Sequence, residues 1–296
     1  MDYLFAIISM VCIGGQFTIT KLYQTKVGNA PMTSLLFSLG SGIVSVLFFV
    51  IACGFKIGFN WFAFSMATGR ALCIVLYTVI GLKMMSIGKV AIYTLFIMIG
   101  GMLIPFLYGA IFLNEQISAW KIVGMVLLIT SLLLPVFKND KNENKSPKLL
   151  FVLGLLIFVL NGLVGVFSKT HQISQNALPT LEFGFWVSAI NAVSVAIAVV
   201  IYIIINKGKV SFKKDLGKMI DKWWIVVLFA LVSQAGGVFQ LFAATTIDAA
   251  VLYPLVAGGT MVASTIFSGL LFKEKLNKLL TLCLILSVFS SILFVF

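Results

Sequence analysis

The chain is a succession of long apolar runs broken by short polar clusters. The runs cover approximately 3–22, 31–54, 61–82, 88–113, 117–137, 149–170, 179–205, 223–246, 249–272 and 277–296. They are continuous rather than alternating, which argues for helices and against a lipid-embedded barrel. Most reach the roughly 20 residues needed to cross a hydrocarbon core. The pattern predicts an all-α membrane protein with ten transmembrane helices. The first run lacks a basic leader and a small-residue cleavage pattern, so it reads as a retained helix. The longest polar stretch, "KNDKNENKSPK" at 138–148, reads as a linker between two five-helix halves, 1–137 and 149–296.

The two halves repeat one another. Displacing residues 89–137 by 159 positions lands on 248–296 without a gap. Ala91 then meets Ala250, Gly100 meets Gly259, Met102 meets Met261 and Glu115 meets Glu274. Displacing the first two spans by 148 pairs Gly14 with Gly162, Lys21 with Lys169, Gln24 with Gln172, Pro31 with Pro179 and Phe37 with Phe185. An odd number of spans per half requires the second to be inserted upside down, the inverted-repeat plan of secondary transporters. Each half carries a Glu in the turn between its fourth and fifth helices. There it is expected to accept from the free N–H groups opening the next helix, with Ser118 and Asn277 as N-cap residues.

A Pro opening the second helix, the turns "IFLNEQIS" and "LFKEKLN", and a final apolar helix, all repeated, resemble the drug/metabolite transporter superfamily, in its ten-span EamA-type branch. The resemblance spans the whole chain and identifies the superfamily rather than a substrate. It implies that helices one to four and six to nine surround a central cavity, with helices five and ten outside. Many relatives carry an Arg early in the second helix; "APMTSLLFSLGSG" has none, and the equivalent stretch "LPTLEFGFW" offers Glu182 and Trp186.

Composition agrees with the pattern: 61% of the 296 residues are hydrophobic and 10% charged, too few polar groups to clothe a soluble domain of this size. The net charge of +12 is distributed by topology. Loops after the odd-numbered spans hold seventeen lysines, whereas only Lys56, Lys121 and Lys169 lie on the other side. The positive-inside rule places the lysine-rich loops in the cytoplasm and both termini outside; the resemblance implies cytoplasmic termini. Lysines spread over short loops without interleaved aromatics do not form a nucleic-acid surface. Cys12, Cys53, Cys73 and Cys283 read as packed thiols.

Polar groups within the runs are the candidates for function. Arg70, in "TGRALC", is a charge inside a span and must face protein or water; Glu182 is its expected partner, or else a first-turn carboxylate held by the helix dipole. Gln16, Asn161, Gln234 and Gln240 are amides that need partners, serving either as interhelical glue or as cavity lining. Tyr93 and Tyr253 lie on the fourth and ninth spans, where "IGGM", Pro254 and "AGGTM" are expected to break or soften the helices, the transporter signature of a binding site. Tyr77 and Trp186 are candidates for an aromatic lining. Lys21 and Lys169 read as interface anchors or gate charges, and His171 as a solvated loop residue. Hydroxyls on the fifth and tenth spans, including Ser131 and Ser290, serve their own helix or a helix–helix contact, including a homodimer through helices five and ten. No Walker loop, paired histidines or catalytic constellation is present, so neither an enzyme, a cofactor nor a metal site is expected.

Together these readings point to a multi-pass secondary transporter of the cytoplasmic membrane, carrying a small-molecule substrate with or without a coupling ion. The alternatives are movement of a lipid-linked precursor and a non-transporting scaffold. The lysine bias puts Ser146 inside the cell. A Ser146→Cys variant should react with a membrane-impermeant thiol reagent only after permeabilisation; efficient labelling of intact cells would reverse the orientation.

Overall fold

A backbone in hydrocarbon has no water to bond, so an apolar chain must close its hydrogen bonds internally. The computed structural model describes residues 2–28, 30–87, 90–138, 147–206, 212–273 and 278–294, and among these the regular elements are all helices. They are α1 (Asp2–Val27), α2 (Pro31–Ala52), α3 (Trp61–Ile87), α4 (Val90–Phe112), α5 (Ala119–Lys138), α6 (Pro147–Ile173), α7 (Thr180–Ile205), α8 (Phe212–Asp221), α9 (Trp223–Thr246), α10 (Ala249–Phe272) and α11 (Lys278–Leu293). Eight helices are long and apolar enough to cross a membrane, and α5 and α11 contribute shorter apolar stretches. This is an all-α, multi-pass membrane architecture. Each predicted run forms one helix; α8, short and amphipathic, has no counterpart among the runs. Glu274 and most of the 138–148 linker lie outside the described residues.

Local chemistry sets the boundaries. Pro31 opens α2, where its missing N–H costs nothing. Asn60 Oδ1 accepts from Ala63 N at 2.6 Å, capping α3. Just past the ends of α4 and α10, Asn114 and Lys273 are left-handed, with φ of 51° and 54°. Pro254 does not break its helix as expected: α10 runs unbroken from Ala249, and Pro254 sits in its second turn.

The principal packing joins the two halves of the chain. α1 lies against α9 and α10, α6 against α3 and α4, α2 against α7, α4 against α10, and α5 against α11. The main buried cluster draws Met102 and Phe106 from α4, Leu128 from α5, Leu252 and Val256 from α10, and Cys283 from α11. Glycines allow the closest approaches: a Cβ on Gly14 would meet Ala263, and one on Gly100 would meet the backbone of Phe158. Between α5 and α11, Ser131 Oγ donates to Cys283 O at 2.8 Å and Ser290 Oγ to Gly124 O at 2.6 Å. These hydroxyls bind the neighbouring helix, whereas Thr130 and Ser291 bond back to their own.

Two charges pin the α9–α10 turn. Glu115 Oε1 and Oε2 accept from Ala249 N and Ala250 N, each at 2.8 Å, where α10 begins. The carboxylate therefore caps a helix, but not the α5 that follows it in sequence. Ser118 already serves α5, accepting from Lys121 N at 3.3 Å. Asp248, at the N-cap of α10, makes no side-chain cap bond of its own. On the other side, Lys169 Nζ donates to Ala244 O at 3.0 Å and Ile247 O at 2.7 Å, closing the C-terminal end of α9. Lys169 is only 4% exposed, so it is neither a surface anchor nor a gate. Each charge has the sign that its helix end favours.

Ala249 and Ala250 are fully buried. Glu115→Ala leaves two buried N–H groups unpaired, at about 1–3 kcal/mol each. The variant should unfold several degrees below the wild type when heating in detergent is followed by size exclusion. Glu115→Gln, which keeps one acceptor oxygen, should fall between them. An unchanged transition in Glu115→Ala would remove the cap from the account of stability.

Candidate functional site

Helix α3 has two unlike faces. Leu72, Leu76 and Val79 point outward, 44–49% exposed, along a stripe that suits lipid. Ala63 and Ala67 are fully buried on the opposite side. Arg70 and Tyr77, at helical spacings of three and seven from these alanines and from each other, share the inward face. Arg70 is the tenth residue of α3, about 14 Å of helix beyond Trp61, so the charge lies at membrane depth and on the face turned to protein. The residue is half-buried.

The groups acting electrostatically on Arg70 are the phenols of Tyr253 and Tyr77, and His171 feels its charge in turn. Tyr93 on α4 interacts with Tyr77, and its ring fills the space beside Gly81. Tyr253 is fixed by donating its hydroxyl to Gly165 O of α6 at 2.7 Å. Tyr77 and Tyr93 pack in one cluster between α3, α4 and α6, Arg70 lies two turns from Tyr77 on the same face of α3, and Tyr253 ties α10 to α6. No carboxylate among the described residues pairs with Arg70, and its buried Nε has no hydrogen-bond partner there.

His171 is not the solvated loop residue expected. It is fully buried, stacked on Phe183 at 3.7 Å between ring centroids and facing Phe62 at 6.2 Å. Its Nε2 accepts from Leu178 N at 3.2 Å, and its Nδ1 lies 3.2 Å from the Gln172 amide. Accepting at Nε2 leaves the single imidazole proton on Nδ1, which can bond the Gln172 amide only through its oxygen; the ring is then neutral and brings no compensating charge to Arg70. Nothing in the spacing of "KTHQI" announces this; the stacking partners come from other segments.

Glu182 does not pair with Arg70. Its Oε2 accepts from Gly58 N at 2.8 Å, and Trp186 Nε1, one turn further along α7, donates to Gly58 O at 2.9 Å. Both candidates clamp one residue of the α2–α3 loop. Gly58 leaves room for this contact, since a Cβ would lie 2.6 Å from the carboxylate and displace it. Phe59 and Phe64 pack edge-on against the Trp186 ring. The first-turn position of Glu182 on α7 explains why its carboxylate reaches a loop rather than the centre.

The amides divide. Asn161 Nδ2 donates to Ile97 O at 2.8 Å, joining α6 to α4 beside Gly101, and Gln234 Nε2 donates to Ser45 Oγ at 2.9 Å, joining α9 to α2. Both act as interhelical glue. Gln16, half-buried on α1, is not among the groups that act on Arg70.

No protein-family model matches the chain, and no curated protein matches it significantly. Among solved structures, a crystal structure of a protein superposes with a TM-score of 0.73 over 98% of this chain and 96% of its own, at 15% identity. At that identity the likeness concerns the fold alone.

The loop clamp has a chemical reporter. Partial burial, and after it the negative charge of Glu182, holds the Cys53 thiol above its ordinary pKa, which lowers the thiolate fraction at a given pH. Cys12, Cys73 and Cys283 lie within helices, leaving Cys53 as the loop cysteine. Glu182→Gln removes the charge and weakens the hold on Gly58, so Cys53 should react faster with a maleimide, its rate profile shifted to lower pH. An unchanged profile would show that Glu182 does not govern this loop.

Proposed function

We propose that the chain is a secondary active transporter, moving a small metabolite or amphiphile across the cytoplasmic membrane by alternating access. We further propose ten spans in two inverted five-helix repeats, as in the EamA-type drug/metabolite transporters that the sequence resembles. The observation that carries the reading is Arg70. A charge at membrane depth is costly, by about 2.5–3.5 kcal/mol at a helix centre even on insertion scales. Here it is kept without a carboxylate partner among the described residues, on an inward face where helices from both halves meet. A packed scaffold gains nothing from such a group, whereas a transport site does. Without a nucleotide-binding motif, the driving force is an ion gradient, exchange, or the gradient of the substrate itself.

The repeat is supported by contacts that occur in exchange-related pairs. Gly14 closes on Ala263, and Gly162 on Ile104. Gly100 closes on Phe158, and Gly259 on Met10. Ser131 binds Cys283 O, and Ser290 binds Gly124 O. Asn114 and Lys273 share the left-handed conformation. Adding or subtracting 148 in the first two spans of a half, and 159 in the last two, converts one member of each pair into the other. Five helices per half put the exchange axis in the membrane plane, and rocking one half against the other would open the centre to each side in turn.

A second reading has one observation in its favour. An apolar groove of about 370 Å³ runs between α4 and α6, lined by Ile104, Leu107, Ile111, Phe112, Leu163 and Val166. A side opening of that composition suits an acyl chain, and would make the cargo a lipid-linked precursor.

Alternating access is tested at Tyr77. In a background with the four cysteines replaced, Tyr77→Cys in sealed vesicles should be modified by a small hydrophilic thiosulfonate from either side of the membrane. Modification from one side only, or from neither, would overturn transport by alternating access.

A further inference from the structure

The chain divides its cations sharply. Among the described residues the lysines lie in loops, in the amphipathic α8 or within about two turns of a helix end, and the single arginine of the sequence, Arg70, is the charge carried at membrane depth. Lys169 shows what the chain does with an internal cation that serves structure: its ammonium is spent on two backbone carbonyls. Arg70 is used differently. Its Nε is buried and has no partner among the described residues, while the residue as a whole is only half-buried.

The carboxylates are otherwise engaged or distant. Glu115 caps α10 and Glu182 holds Gly58. Asp215 lies 3.7 Å from Lys218 on α8, and Asp2, Asp221 and Asp248 sit at helix ends. Asp140, Glu143 and Glu274 fall outside the described residues, in segments that the sequence places in loops. The groups whose electrostatics act on Arg70 are the neutral phenols of Tyr77 and Tyr253, and the histidine that feels its charge is held neutral by accepting from Leu178 N.

Lysine and arginine are not equivalent in such a place. A guanidinium stays protonated and presents a planar fork whose paired N–H groups match the two oxygens of a carboxylate or phosphate; an ammonium is a point charge that buries poorly. We propose that Arg70 is an oxyanion-binding residue, and that its ligand carries a carboxylate or phosphate group that pairs end-on with the two Nη groups, the buried Nε being closed to it. Such an anion is the cargo of the transport proposed above, on which its biological role rests. The neutral aromatic neighbours suit a ligand in which the anionic group is attached to an apolar body.

Because the chain has one arginine, the test needs no mutation. The purified intact protein is treated with phenylglyoxal, and the adduct on the Arg70 peptide is followed by mass spectrometry, with the denatured protein as the reactive control. Benzoate or phenyl phosphate should slow modification of the native protein, roughly tenfold at ten times Kd by simple mass action, whereas benzamide and benzylamine should not. Protection by micelles doped with phosphatidylglycerol, but not by the soluble anions, would keep the oxyanion chemistry and assign it to a lipid headgroup. Equal protection by benzamide, protection by none of the probes, or an Arg70 that reacts only when denatured would overturn the proposal. Arg70→Lys and Arg70→Gln, where they fold, should lose the thermal stabilisation given by the protecting anion, the Lys variant the less completely. Two-sided modification of Tyr77→Cys with no anion protection at Arg70 would leave transport standing and remove the anion; the converse would keep the anion site and remove transport.

Discussion

The carboxylate of Glu115 on the first two free N–H groups of α10 fixes more of this molecule than any other single interaction. It sets where α10 begins, and with it the position of Tyr253 one turn later. Tyr253 reaches Gly165 on α6, and Lys169, one turn further along the same face of α6, returns to close the end of α9. Three side chains therefore lock α6, α9, α10 and the α4–α5 turn together. Two of them are charged, Lys169 buried and Glu115 half-buried over buried N–H donors, so a missing partner is expensive on either side. The site at Arg70 is built on the inner side of this lock.

Around that lock the chain separates two uses of polarity. Asn161, Gln234, Ser131, Ser290 and Lys169 each end on a named partner, and their effect is adhesion between helices that lipid would otherwise let part. Arg70 is the exception. The difference between glue and site is not residue type, since both include long polar side chains. It is whether the protein supplies the complementary group.

How much of this is legible in the sequence follows from the range of each interaction. Hydropathy is local, so every apolar run becomes a helix near its expected limits; α8 escapes because its lysines read as loop. Helical spacing puts Arg70 and Tyr77 on one face. Partners brought together by tertiary packing are not legible. Nothing near Glu115 says that its N–H donors lie 134 and 135 residues further on, or that Glu182 meets a glycine peptide instead of Arg70. Pro254 fails as a breaker because the proline lies within the second turn of α10, early enough for the helix to run on through it. His171 reads as a loop residue because helix α6 continues to Ile173, past the end of its apolar run.

The distance between Glu115 and its donors also has a meaning in time. The ribosome releases Glu115 while α10 is still 134 residues from synthesis. Through that interval the carboxylate must wait in the hydrated headgroup zone, and α1 waits likewise for α9 and α10. The early helices are inserted long before they are assembled, and final docking is a post-translational event within the bilayer. A chain halted before its ninth helix would display an orphan acid and an uncovered groove, a mark by which membrane quality control could recognise unfinished copies.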